Sequence, residues 1–223
     1  LPVAIPSTAR PEATLFERAI ARATQGAGEP VDATREKLIE AAYQQFCEAG
    51  VTRSSMEEVA RRAGTARITI YRKFDTKDAL VDAVMLREFQ EYFGAYLQVM
   101  ATAVTAADRA VMAFVTSLRT IGGNPLIRKL LETEPEMVAG VVGGGDGRTF
   151  EAVRDFVAHQ ILREQGAGNI PARVRTIPAA DLVVRIAGSF LTFPSDLVDY
   201  DDEEALVSFA REFLLPILGL RRS

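Results

Sequence analysis

An all-α fold is what this sequence predicts, and three observations carry it. From residue 34 onward apolar residues recur at helical spacing almost without interruption. No stretch alternates apolar and polar residues convincingly enough for a strand. Ser, Thr and Asp stand where helices should start, and Gly and Pro where they should stop.

The elements follow in order. Residues 1–10 carry Pro2 and Pro6 and read as an irregular tail. Residues 11–25 predict a short helix, with Pro11 in its first turn and Leu15, Phe16, Ala19, Ile20 and Ala23 as an apolar stripe. That stripe needs cover, so packing onto the next domain is expected rather than projection of Arg10, Arg18 or Arg22 toward a partner. GAGEP at 26–30 is a linker. Leu38, Ala42 and Phe46 mark the next helix, closed by Gly50. Ser55-Met56-Glu57-Glu58 is a capping box, so a helix starts at Met56, runs to Ala63 and stops at Gly64. A short helix covers about 66–73. Thr76 or Asp75 caps a long one reaching about Met100, with Leu86, Phe89, Phe93, Tyr96 and Met100 on one stripe. Further helices are expected at about 106–122, 125–133, 147–165, 178–192 and 202–218. Pro178 suits a helix start, and Asp196, Asp199, Asp201, Asp202, Glu203 and Glu204 crowd the start of the last helix as capping and dipole-compensating acids.

Composition narrows the chemistry. The 223 residues are 48% hydrophobic and 25% charged, which excludes an intrinsically disordered chain. No apolar run is long enough for a membrane span, and Pro6, Arg10 and Glu12 break the N-terminal apolar runs a signal peptide would need. One cysteine, Cys47, cannot form an internal disulfide, and a cytoplasmic setting fits. With a single histidine, His159, neither a His/Cys zinc site nor a Ser-His-Asp or Cys-His nucleophile system is expected, and no cofactor is implied. Thirty acids leave a carboxylate-only site open. Cys47 reads as a small core residue rather than a redox sensor, and His159 as an exposed or satisfied helix residue rather than a ligand anchor. GGGDG at 143–147 lacks the preceding strand and the Lys-Ser/Thr of a phosphate loop, so it reads as a flexible connection beside a pocket entrance.

The net charge is −4, but residues 51–77 hold seven bases and three acids, leaving −8 on the remainder. A basic unit on an acidic body suits local contact with a polyanion. The same segment reads as helix, Gly-containing turn and short helix, the layout of a helix-turn-helix. Ile70 and Phe74 share the inner face of the short helix. Ile68, Thr69, Tyr71 and Arg72 face outward, flanked by Arg67 and Lys73, and no acid occurs from Val59 to Phe74. A guanidinium, a hydroxyl and apolar groups are what groove reading needs.

Residues 34–80 closely resemble the DNA-binding domain of TetR-family transcriptional regulators, without a gap. The matching elements are Ala41-Ala42, Phe46, Gly50, Ser55, Val59-Ala60, Ala63-Gly64, Thr69, Tyr71, Phe74, Lys77 and Leu80. The resemblance implies that Tyr71 and Lys77 touch phosphates, that Thr69 lies near DNA, and that Arg67 and Arg72 set base preference. It implies that Ser55 caps its helix and reaches a phosphate. Three positions depart from the family pattern. Ala66 stands where Ser is usual, so Thr65 is expected to supply the cap. Ile68 replaces a Gly and faces a thymine methyl, and Lys73 replaces a His and keeps a donor. The resemblance divides the chain into an N-terminal extension (1–33), a three-helix helix-turn-helix domain (34–79) and a helical ligand-binding and dimerisation domain (80–223).

The C-terminal half carries no motif of its own. Its last two helices are apolar on more than one face, which marks a core or a subunit interface. The resemblance favours a homodimer through a four-helix bundle, with Val183, Ala187, Phe190, Leu206, Phe209, Ala210, Phe213 and Ile217 as interface candidates. Phe89, Phe93, Phe114, Leu118, Leu131, Phe150, Val153, Phe156 and Phe190 are candidate linings of an effector pocket, although aromatics at helical spacing also serve as plain core. The expected partners are a double-stranded operator, a second copy and an apolar or weakly polar small molecule. The expected function is a repressor that releases a near-palindromic operator when that molecule binds. An all-α enzyme and a protein-interaction module that has lost DNA binding are the rivals.

Overall fold

The structure, a computed structural model, describes residues 18–19, 21, 32–136, 138, 148–193 and 199–221. Most of the expected N-terminal helix, the linker at 26–30, the GGGDG connection and Asp196 lie outside the described residues. Among those described there is helix and no strand.

Three short helices open the described chain: α1 (Ala33–Ala49), α2 (Met56–Arg62) and α3 (Arg67–Lys73). Asp32 caps α1 by accepting from the Thr34 and Arg35 amides. Ser55 and Glu58 form the reciprocal capping box on α2. The turn after α2 is a Schellman stop: Gly64 takes φ +65°, Thr65 N–H donates to Ala60 O and Gly64 N–H to Arg61 O. Thr65 does not cap α3. Its hydroxyl donates backward to Ala60 O, and Ala66 occupies the cap position with no side-chain bond. Thr65 stands one residue too early, inside the stop of the preceding helix. Seven residues without a cap cannot hold α3 as a helix alone. Ile70 and Phe74, both buried, fix it to the core of α1 and α2.

The long α4 (Lys77–Thr102) is capped by Thr76, and α5 (Ala106–Gly122) by Thr105. The nine-residue α6 (Pro125–Thr133) has Asn124 as cap and Pro125 in its first turn. Its Leu126 and Leu130 lie in the same buried cluster as Phe46, Val59 and Ile70, so α6 completes the core of the first three helices. Helices α7 (Arg148–Gly166) and α8 (Thr176–Thr192) follow. The latter begins two residues before Pro178, which sits in the first turn where no N–H is needed.

The last segment is less regular than its apolar periodicity predicts. Asp202 caps α9 (Glu203–Phe209), but Ala210–Leu214 widens to a π turn and Leu215–Leu218 tightens to a 3-10 turn. The cause is Pro216. It cannot donate to Glu212 O, and its ring would strike that carbonyl, so the chain shifts register before it; Leu215 N–H reaches back to Ala210 O. Gly219 at φ +64° closes the segment.

The N-terminal fragment packs rather than projects. Ala19 is fully buried with Phe93 of α4, and Arg18 pairs with Asp82 at 3.3 Å.

Candidate nucleic-acid interface and effector cavity

The outer face of α3 is built by default. Burying Ile70 and Phe74 turns Arg67, Ile68, Tyr71 and Arg72 to solvent, with Thr69 and Lys73 half-covered at the edges. Ile68 is 78% exposed, a branched apolar side chain on a polar face with nothing among the described residues to cover it. That suits the base-edge contact expected of it.

Two cations of α3 are held in place by neighbours. Glu57, in the first turn of α2, accepts from the Tyr71 hydroxyl at 3.1 Å and pairs with Arg67 at 2.9 Å, and the Arg67 guanidinium lies over the Tyr71 ring. Its carboxyl is held below the ordinary range by its own backbone N–H and then by Tyr71. Sequence reasoning missed Glu57, because it lies fourteen residues before Tyr71 and only the turn brings them together. Lys73 is paired at 2.6 Å with Asp32, the α1 cap, which keeps that carboxyl well ionised. Arg72 has no ion pair among the described residues. Ser55 exchanges hydrogen bonds with Glu58, so its hydroxyl is occupied by the cap.

Lys77, at the start of α4, donates from Nζ to Thr52 O at 3.2 Å. The N–H of Thr52 donates to Glu134 Oε1 at 2.9 Å, at the C-terminal end of α6. The α1–α2 turn is thus gripped from both sides. Gly50 makes the grip possible: at φ +81° it holds a conformation closed to side-chain-bearing residues, and a Cβ there would stand 2.7 Å from Glu134 Oε1. A second bridge joins α4 to α1, where Arg87 reaches Glu40 at 2.9 Å and Glu88 at 3.2 Å. Glu88 also accepts from Asn124, the α6 cap, at 2.7 Å. Burial raises the Glu88 carboxyl, with Asn124 and Arg87 opposing.

A cavity of about 1120 Å³ opens between α4, α5, α7 and α8. Of the expected lining residues, Phe89, Phe114, Phe150, Val153 and Phe156 line it. Phe93, Leu118, Leu131 and Phe190 do not. Phe93 is buried against Ala19, Leu118 in the α5–α9 core, Leu131 on the core of the first helices, and Phe190 against Phe209. The stripe on α4 is broad enough that neighbouring aromatics face different partners. Polar lining residues that the apolar pattern could not flag are Glu88, Tyr92, Asn124 and Gln160; Tyr96, on the apolar stripe of α4, lines the cavity as well.

Cys47 is half-buried beside Tyr43, and burial raises its thiol above the ordinary value, opposite to a reactive cysteine. His159 is exposed on α7. Among the described residues no group of three His, Cys, Asp or Glu converges as a metal site, and no helix is long and apolar enough to cross a membrane.

Of the expected dimer residues, Leu206 and Ala210 are fully buried inside the monomer and cannot meet a second chain; α5 already covers that side of α9. Phe190, Phe209 and Phe213 instead form a ring cluster with centroids 5.1 and 5.0 Å apart, and Phe213 is 54% exposed. Val183 and Ala187 are half-buried on α8, and Ile217 is half-buried in the 3-10 turn that closes the chain's last segment.

Residues 38–84 match the family model of bacterial regulatory proteins, tetR family. An uncharacterised HTH-type transcriptional regulator of Mycobacterium tuberculosis (strain ATCC 25618 / H37Rv) is 29% identical over 183 residues, 82% of this chain and 84% of the relative. The HTH-type transcriptional repressor KstR2 of Mycolicibacterium smegmatis is 28% identical over 88 residues, 39% of this chain and 42% of the relative. The solved structure of the fatty acid degradation regulator FadR from Bacillus halodurans superposes with a TM-score of 0.63 over 87% of this chain and 100% of that chain, at 16% identity, which speaks for the fold. A helix-turn-helix with an acid-free outer helix and the family match upon it converge: residues 38–84 are a DNA-binding domain of the tetR family type, on a chain similar along most of its length to HTH-type transcriptional regulators.

Proposed function

We propose that the chain is a cytoplasmic, homodimeric repressor that releases a near-palindromic operator when a small molecule occupies the cavity. The observation that carries this reading is the outer face of α3, where Arg67, Ile68, Thr69, Tyr71 and Arg72 stand together without an acid on the helix. Arg67 and Arg72 would read bases; Tyr71, Lys77 and Lys73 would meet phosphates, while Ser55, its hydroxyl proton given to Glu58, serves as the α2 cap. The repressor direction is taken from the name of the KstR2 relative.

One short helix makes too few contacts for a unique site, and two half-sites supply the rest. The exposed Phe213 beside Phe209 and Phe190 supports an interface of α8 and α9 with a second copy. The division at residues 79–80 then separates a reading head from a sensing and pairing body.

Release needs a path between cavity and head, and the contacts of α6 supply one. Its N-cap Asn124 holds Glu88, in the cavity wall, and its C-cap Glu134 holds the α1–α2 turn through Thr52. A ligand that displaces α6 or α4 pulls on Thr52 and hence on Lys77. Only a ligand with unequal affinity for the two arrangements shifts the balance.

The test is fluorescence anisotropy with DNA flanking the chain's own gene, at several salt concentrations, beside a reporter driven by that DNA. Saturable binding well above that to random DNA, a steep salt slope and a reporter that falls when the protein is expressed are expected. Weak, sequence-blind binding sinks the regulator reading in favour of an interaction module, and a rising reporter sinks the repressor direction.

A further inference from the structure

The cavity carries more information than its size. At 1120 Å³ it has room for a lipid-sized molecule, and its wall is aromatic: Tyr92, Tyr96 and Phe156 meet with centroids 5.7–6.3 Å apart. Within that wall the polar groups divide into those already used and those left over.

The cations are used. Among the described lining residues they are Arg109, Arg154 and Arg185, against six acids. Arg109 makes a two-pronged pair with Glu164 at 2.7 and 2.8 Å and donates again to the carbonyls of Ala103 and Val104. Arg154 pairs with Asp155 at 2.8 Å and Arg185 with Asp181 at 2.7 Å. Within this wall a carboxylate would meet surplus negative charge and three arginines already paired; Arg163, whose charge reaches Tyr96, is exposed and does not line the wall.

Two uncharged groups are left over. Tyr96 is 7% exposed and lines the cavity, yet its hydroxyl has no hydrogen-bond partner among the described residues. Its neighbour Tyr92 differs, sharing a hydrogen bond with Ser117 at 2.8 Å. Burial raises the Tyr96 phenol, so it stays protonated and able to donate. Gln160 also lines the cavity without a hydrogen-bond partner among the described residues. The two belong to one place. Phe156, Gln160 and Arg163 fall on one face of α7 at helical spacing, Tyr96 touches Phe156, and Arg163 acts on the Tyr96 hydroxyl. Gln160 thus lies one turn from Phe156 on the helix face that meets Tyr96, and both line the cavity. Both groups face the cavity with their hydrogen-bonding capacity unspent on the protein, and a ligand that bonds them is favoured over one that displaces their solvent without doing so.

We propose that the cavity binds an uncharged, lipid-sized molecule through a carbonyl oxygen that accepts from the Tyr96 hydroxyl and the Gln160 amide, and that it discriminates against carboxylates. This rests on the reading of the cavity as the effector site.

The test uses the full chain and a matched pair of probes, methyl dodecanoate and dodecanoate, by calorimetric titration above neutral pH where the acid is ionised. Tyr96→Phe keeps the ring contacts and removes only the hydroxyl; Gln160→Met keeps the length of the side chain and removes the amide. Thermal midpoints check that both variants fold. The ester should bind at least about tenfold more tightly than the acid, and each variant should weaken the ester by about three- to tenfold, the value of one hydrogen bond. Acid binding as tightly as ester, no binding of the ester, or an ester affinity unmoved by both variants overturns the proposal. Operator binding is measured in the same samples. Ester that binds as described without loosening the operator upholds the cavity chemistry and refutes ligand-controlled release. Release driven by the acid does the reverse.

Discussion

Replacing Gly50 by alanine tests how the reading head is fastened to the rest of the molecule. Gly50 closes α1 at φ +81° and ψ 168°, a region populated almost only by glycine. Forcing a side chain into it costs about 1–3 kcal/mol. The added Cβ would stand 2.7 Å from Glu134 Oε1 and 3.0 Å from Thr133 Oγ1. Glu134 must swing away, and the Thr52 N–H loses its acceptor, worth about 1 kcal/mol. Gly50→Ala should therefore lower stability by about 2–4 kcal/mol in denaturant titration, the sum of those two costs. Glu134→Ala alone should cost about 1 kcal/mol. In the double variant the hydrogen bond is lost only once, so the two changes should be sub-additive by about 1 kcal/mol, with the backbone cost remaining. A Gly50→Ala variant within about 0.5 kcal/mol of the parent would refute the strained turn. Strict additivity would refute the grip of Glu134 on it.

Three further outcomes are expected. Arg67→Ala and Arg72→Ala should each weaken specific binding by about 1–3 kcal/mol and relax preference at one base position, whereas equal loss on random DNA would make them phosphate contacts; anisotropy on operator variants decides. Phe213→Asp should weaken the dimer by about a hundredfold, because a symmetric interface loses the half-exposed ring twice; sedimentation that shows an unchanged dimer would move the interface elsewhere. The Glu88 carboxyl is raised in the folded chain by burial, so the fold holds that proton more tightly than the unfolded chain does. That contribution is complete below the unfolded value and is lost as pH rises through the raised folded value, so the parent should lose stability relative to Glu88→Gln across that window; a pH-independent difference in denaturation midpoint would contradict it.

What the sequence by itself determined is local. Caps, glycine stops and the apolar period of three to four residues set the spans of the described helices between residues 33 and 192 to within about two residues, because each depends on neighbours within one or two turns. The outer face of α3 was legible for the same reason: placing Ile70 and Phe74 inside leaves Arg67, Ile68, Tyr71 and Arg72 outside. Pro216 was also in plain view, but the apolar stripe running through 202–218 hid its effect on the last helix.

What only the tertiary structure decided is which side of a broadly apolar helix faces which neighbour. Phe89 and Phe93 share one stripe on α4, yet one lines the cavity and the other is buried under Ala19. Leu206 and Ala210 looked as available to a second chain as Phe213, until α5 covered them. The hold of Glu57 on Tyr71 and Arg67, the grip of Glu134 on Thr52 and the unpaired hydroxyl of Tyr96 all join or isolate residues far apart in the chain. Periodicity records how much of a helix must be buried; only the packing of the other helices settles against what.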